Sequence, residues 1–239
     1  FINLIFKFAD DTNLLVPQIT DISAKGEINN IKYWAFENKM EINWDKTKEL
    51  VFRRPNIRLS ISLPEPLLNI DQVSEARLLG IILSDKFNFT SHVNYLLTLC
   101  AQRCYLLKVL RQQGLPPREL NTVYNAIIVN ILKYTLPTWA GFLTADLTNK
   151  INALFRKCHS MGFCLKLNTV SELIDQTDKK LFKSLQKSEH CAHYLLPPPK
   201  SAIRSRRSTV LNYTLPTFKH KLYKNSFICR YLYRHCLNN

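Results

Sequence analysis

Phe1-Ile2-Asn3-Leu4-Ile5-Phe6-Lys7-Phe8-Ala9-Asp10-Asp11-Thr12-Asn13-Leu14-Leu15-Val16 is the stretch from which the rest of the chain is read. Two short apolar runs, residues 1–8 and 12–16, flank Ala9, Asp10 and Asp11, which predicts a buried β-hairpin whose turn carries the acids. Pro17 stops the second strand. Adjacent carboxylates on a rigid turn suit a hard cation such as Mg2+, which takes several oxygen ligands. Asp also favours turns through its own backbone hydrogen bonding, so the pair alone does not separate metal binding from ordinary turn chemistry.

Outward from the hairpin, a helix is expected over residues 21–40, with Ile28, Ile31 and Ala35 on one face packed against the hairpin. Residues 48–52, 57–63, 67–70 and 78–83 are strand candidates separated by Pro, Asn and Asp turn signals. From Ser91 the period becomes helical, through Val93, Leu96, Leu97, Cys100, Cys104 and Leu107, until Gly114, Pro116 and Pro117 supply a stop. Leu120, Val123, Ile127 and Ile131 mark a second helix ending at Pro137. Leu147, Ile151, Leu154 and Cys158 mark a third over residues 146–161, and Thr169 with Glu172 forms a capping box for a fourth. Residues 197–209 read as an extended basic linker, and residues 218–236 as a last helix. The class is α+β. Three regions are expected: 1–89 with the hairpin, helix and short strands, 90–195 helical, and 196–239 a basic linker with a C-terminal helix.

Hydrophobic residues at 46% and charged residues at 21% exclude a disordered tail or a low-complexity protein. The net charge of +15 is unevenly placed. Residues 1–89 hold 11 basic and 12 acidic side chains, and residues 90–239 hold 22 and 6, so local balances of −1 and +16 make up the total. The excess points the second part toward a polyanionic partner. No apolar run is long enough to span a membrane, no secretory leader opens the chain, and 7 Cys without framework spacing suit reduced thiols. An intracellular protein of the nucleus or cytoplasm is expected, with no membrane partner. Because an apolar strand pattern is already under way at Phe1, the chain is expected to start inside a domain.

Phe8-Ala9-Asp10-Asp11-Thr12 resembles motif C of reverse transcriptases, the aromatic-Ala-Asp-Asp turn of the palm. Trp34, Asn38 and Met40, then Asn43, Lys46, Thr47, Lys48 and Phe52, resemble the helix and Asn-x-x-Lys-Thr strand of motif D. Leu78-Leu79-Gly80-Ile81 with Asp85 and His92 resembles the Leu-Gly segment and downstream His of the LINE-type enzymes at motif E and the thumb entrance. These blocks stand in the family's order, and the chain as a whole resembles the C-terminal part of a non-LTR (LINE-type) retrotransposon reverse transcriptase.

The resemblance implies a truncated reverse-transcriptase palm over residues 1–89 followed by a helical, thumb-like region. It also implies RNA-directed DNA polymerisation through two Mg2+ ions, with an RNA template, a DNA primer and dNTP as partners. Asp10 and Asp11 would be two of three metal-holding carboxylates, Asp10 the more direct ligand, and Lys46 a motif D residue that neutralises or protonates departing pyrophosphate. The third carboxylate belongs to motif A, which precedes motif C in the family, and only nine residues precede Asp10 here. Motif A, motif B and the fingers are missing from the sequence, so the chain is expected to be inactive alone. The alternatives are a non-catalytic basic nucleic-acid-binding module and a pseudogene remnant.

Phosphate contacts are expected from Arg103, Lys108, Arg111, Arg156, Lys157, Arg204, Arg206, Arg207, Lys219, Lys221, Lys224, Arg230 and Arg234, against the bland reading of a solvated basic helix face. Tyr223, Phe227, Tyr231 and Tyr233 interleave with the last of these, either to stack on nucleotides or, as is commoner at helical spacing, to fill a core. His190, Cys191, His193, Cys229, His235 and Cys236 lack a Cys-x-x-Cys pair and any standard zinc spacing. Cys100 and Cys104 share a face with Leu residues and read as core.

Overall fold

The computed structural model describes residues 2–53, 64–67, 69–199, 213–218 and 220–236, without the side chains at 221 and 236. The strand expected over residues 57–63, nearly all of the linker expected over 197–209, and Arg204, Arg206, Arg207 and Lys219 lie outside them. The class is α+β, and the chain divides into two compact units: Phe1–Leu78 with Leu83–Phe87, and Leu79–Ile82 with Asn88–Asn239.

In the first unit, β1 (Leu4–Phe8) and β2 (Asp11–Leu15) form an antiparallel hairpin in which Leu4 faces Leu15 and Phe8 faces Asp11. Ala9 and Asp10 are the two connecting residues, and Ala9 takes the left-handed φ of 53° that so tight a reversal requires. The hairpin is not buried as predicted. Leu4, Ile5, Phe6, Phe8 and Leu15 are all exposed, Phe8 at 64%, because no third strand among the described residues pairs with the hairpin and nothing described in this unit covers its apolar side chains. Helix α1 (Ala24–Glu37) is capped by Ser23, whose hydroxyl accepts from the Gly26 amide. It reaches the hairpin chiefly through polar links. The Asn3 amide donates to Glu27 Oε1 and to the Ile22 carbonyl, each at 2.8 Å, and Lys7 Nζ stands 5.3 Å from the Trp34 ring centroid. Of the expected face, Ala35 is buried while Ile28 and Ile31 are half-buried.

β3 (Lys48–Leu50) pairs in parallel with β4 (Asp71–Val73), so the expected strand at 67–70 sits a few residues later. Lys48 faces Asp71 across this ladder, with 2.5 Å between Nζ and the carboxylate. The single strand expected over 78–83 is instead a reversal between β5 (Glu75–Leu78) and β6 (Ile81–Ser84). Leu79 and Gly80 both have positive φ, 46° and 84°, the requirement of a two-residue hairpin turn; continuous hydrophobicity hid this break.

The second unit is helical. α2 (Thr90–Gln112) buries His92, Val93, Leu96, Cys100, Cys104 and Leu107, nearly the predicted face. It ends in a Schellman motif at Gly114: the Gly114 and Leu115 amides donate to the Arg111 and Leu110 carbonyls. α3 (Pro117–Tyr124) runs through a π-helical segment, Asn125–Val129, into α4 (Asn130–Lys133). The buried face of this run is Leu120, Tyr124, Ile128, Val129 and Leu132, one residue out of phase with the predicted Val123, Ile127 and Ile131. The chain breaks at Tyr134 and at Thr135, whose φ is 52°; Pro137 lies in the first turn of α5 (Leu136–Trp139), where its missing N–H costs nothing.

α6 (Ala145–Ser160) and α7 (Val170–Leu185) occupy the expected places. Thr169 caps α7 by accepting from the Glu172 amide at 3.3 Å. The expected last helix is two, α8 (Lys221–Asn225) and α9 (Phe227–Cys236), separated by the extended Ser226. α9 packs Tyr231 and Leu232 around Phe182, and the Tyr231 and Phe182 rings stack 4.3 Å apart.

Candidate catalytic turn and nucleic-acid interface

Asp10 lies in the hairpin turn and Asp11 opens β2; both carboxylates are exposed. Two exposed aspartates supply oxygen donors of the right kind for Mg2+, which keeps several waters and needs few protein ligands. Among the described residues no group of three or more Asp, Glu, His or Cys side chains is gathered for a metal. The donor set at this turn is therefore the pair.

Lys46 sits on a turn built by Asn43. The Asn43 side chain accepts from the Lys46 amide at 3.0 Å, and its carbonyl accepts from the Thr47 amide at 3.1 Å and hydroxyl at 2.8 Å. The Asn-x-x-Lys-Thr spacing thus has a local cause: Asn43 and Thr47 close the turn and leave the Lys46 side chain in solvent. Neither a hydrogen bond nor an ion pair joins Lys46 to Asp10 or Asp11 among the described residues.

The two later blocks have structural duties. In the first unit the Arg53 guanidinium grips Asp85 Oδ2 at 2.6 and 2.7 Å, while the Arg53 amide donates to the Asp85 carbonyl. In the second, the Leu79 carbonyl accepts from Tyr134 Oη at 3.0 Å, and the Tyr134 ring lies so near Gly80 that an added Cβ would sit 3.3 Å from it. His92 is buried, its ring edge-on to Trp139 at 5.4 Å.

The predicted phosphate contacts fall into distinct groups. Arg103 donates to the Ile127 carbonyl at the π-helical segment, and Arg111 donates to the Met161 carbonyl at the end of α6 while covering the Phe163 ring. Arg230 and Arg234 are paired with Asp178 and Asp175 of α7, at 2.9 and 2.6 Å. Lys224 stands over Phe218 and is exposed; Lys221 begins α8. Lys108, Arg156 and Lys157 are exposed and have no ion-pair partner among the described residues.

Sequence reasoning missed a further group. Lys179, Lys180, Lys183 and Lys187 project from the solvent side of α7 and just beyond it, all exposed and without ion-pair partners among the described residues. The signal was present. Lys180, Lys183 and Lys187 follow a helical i, i+3, i+7 spacing opposite Phe182 and Leu185, which are buried. Of the four aromatics near the end, Tyr231 is buried, Phe227 packs against it, Tyr233 donates to the Pro216 carbonyl at 2.8 Å, and Tyr223 stays exposed. Core packing takes two of the four, and Tyr233 is half-buried with its ring edge-on to Phe218.

No helix among the described residues is long and apolar enough to cross a membrane. Compared with known proteins, the chain matches no protein-family model, no curated protein and no solved structure.

Proposed function

We propose that this chain is the motif C-to-thumb portion of an RNA-directed DNA polymerase of the non-LTR retrotransposon kind. One observation carries the reading: an aromatic-Ala-Asp-Asp sequence that forms a two-residue hairpin turn, with Asp11 as the first residue of the returning strand. Downstream, the Asn43 turn presents Lys46, and a helical unit holds the positive charge. Asp10 and Asp11 would contribute carboxylate oxygens to the Mg2+ site, with Lys46 offsetting charge on the leaving pyrophosphate. When bound, the metal would activate the primer hydroxyl and stabilise the departing phosphates. RNA template and DNA primer would be held through their backbones by lysines and arginines of the helical unit.

A second reading, a basic nucleic-acid-binding module without catalysis, is favoured by the exposed lysines of α7, which have no ion-pair partner among the described residues. Primer extension and duplex binding test the two together: extension is open only to the first reading, and both require binding. The expected result is no Mg2+-dependent extension by the chain alone, together with salt-sensitive binding of a primer–template duplex. Extension abolished by Asp10→Ala would place the whole reaction in this chain, and failure to bind at low salt would sink both readings.

A further inference from the structure

Four of the buried cysteines lie in the helical unit around α2 and α6: Cys100, Cys104, Cys158 and Cys164. Two of them meet. Cys104 Sγ of α2 and Cys158 Sγ of α6 are 3.5 Å apart, a thiol–thiol hydrogen bond between residues 54 positions distant in sequence. Neither sulfur serves the proposed polymerase chemistry, and buried thiols are otherwise inert packing.

We propose that Cys104 and Cys158 form an oxidisable dithiol, a modification site at which a small peroxide converts the pair to a disulfide joining α2 to α6. Geometry carries the inference. The pair is within reach of the ~2 Å S–S bond by side-chain rotation and a small approach of the helices. The two sulfurs are also unequal. Cys158 is fully buried, whereas Cys104 retains 9% exposure and is the more accessible of the two. The hydrogen bond shared with Cys158 is the main influence lowering the Cys104 thiol, opposed by burial and assisted by the nearby Lys157 ammonium. The same shared bond is the main influence raising Cys158 above the ordinary thiol range, burial adding to the effect. Cys100, one turn before Cys104, is pushed up to about 12 by its burial and stays a thiol.

The chemistry balances. The Cys104 thiolate attacks one peroxide oxygen, the O–O bond breaks, and hydroxide leaves with the electron pair to give a sulfenic acid. Cys158 sulfur then attacks the Cys104 sulfur, the S–O bond breaks, and the Cys158 proton departs with the oxygen as water. Two thiols are oxidised by two electrons and one peroxide is reduced.

The test exposes the folded chain to a few equivalents of hydrogen peroxide, blocks remaining thiols, and digests it with trypsin without reductant. Cleavage after Arg103 separates Cys100 from Cys104, so a cross-linked peptide reports the Cys104 partner directly. The expected product joins the Cys104 peptide to the Cys158 peptide with a loss of about 2 Da and is reversed by dithiothreitol. Because Cys158 and Cys164 share a peptide, Cys164→Ser must retain the cross-link and Cys158→Ser must abolish it. The exposed Cys191 serves as the reactivity control. Oxidation of Cys191 while Cys104 and Cys158 remain thiols, a Cys104–Cys164 product, or sulfinic acid at Cys104 without cross-linking would each overturn the proposal.

Discussion

Arg230 Nη2 lies 2.9 Å from Asp178 Oδ1 with both side chains largely out of water, at 17% and 5% exposure. This pair fixes α9 on α7, and the same Arg230 atom donates to the Pro137 carbonyl at 3.2 Å. Burial is the first cause of the shift on each partner: the Asp178 carboxyl is raised to about 6 and the Arg230 guanidinium lowered, with their mutual attraction opposing both. Desolvation therefore outweighs attraction, as is common for buried ion pairs.

Removing one partner should cost more than the pair contributes. Arg230→Ala leaves a buried carboxylate unpaired and is expected to destabilise the helical unit by about 3 kcal/mol at pH 7. The loss should shrink at pH 5, where Asp178 can take up a proton. Urea unfolding at the two pH values checks this, and an equal loss at both would show that the Asp178 charge is not the cause.

The pH dependence of the intact pair has a definite sign. An acid whose folded pKa is above its unfolded value near 3.9 binds more protons when folded, so stability falls as pH rises. The Asp178 contribution is complete below about 4 and lost as pH passes about 6, on the order of 2 to 3 kcal/mol. Subtracting the unfolding free energy of Asp178→Asn from that of the parent across this window should give a falling curve. A flat or rising difference would contradict the raised pKa.

Gly141 is required for a different reason. A Cβ there would lie 1.9 Å from the Asn225 carbonyl oxygen, a backbone atom that cannot rotate away. Gly141→Ala should separate α8 from the Ala140–Phe142 turn and destabilise the unit by roughly 1 to 3 kcal/mol. Faster proteolysis after Lys221 or Lys224, with a lower unfolding midpoint, is the expected readout.

For nucleic-acid binding, the exposed lysines and the paired arginines should behave oppositely. Replacing Lys180, Lys183 and Lys187 together by Gln should weaken duplex binding and flatten the log–log salt dependence by about 0.9 for each phosphate left unneutralised. Arg234→Gln, which breaks the Asp175 pair, should leave the salt slope unchanged. Titrations at several salt concentrations would refute this grouping if Arg234→Gln flattened the slope as the triple substitution does.

Much of the helical unit is legible in the sequence because its faces repeat at helical spacing: Val93, Leu96, Cys100, Cys104 and Leu107 read as core and are buried. The Thr169 cap is legible from residue type and spacing, since its oxygen meets an amide three residues on. Boundaries set by a few backbone angles are harder. Leu79–Gly80 hides inside an apolar run, Ser226 breaks a helix without Gly or Pro, and the π-helical segment at Asn125–Val129 turns the buried face by one residue.

The Asp10–Asp11 turn and the charge division between residues 1–89 and 90–239 follow from the sequence by itself, because a tight hairpin is local and charge is additive. The state of each basic side chain was decided only by tertiary structure. Sequence spacing could not show that Asp178 and Asp175 would face Arg230 and Arg234, or that Lys180, Lys183 and Lys187 would meet no acid among the described residues. Charge pairing depends on which helices touch, and that meeting is made by Phe182, Tyr231 and Leu232, apolar residues distant in the chain and joined by burial.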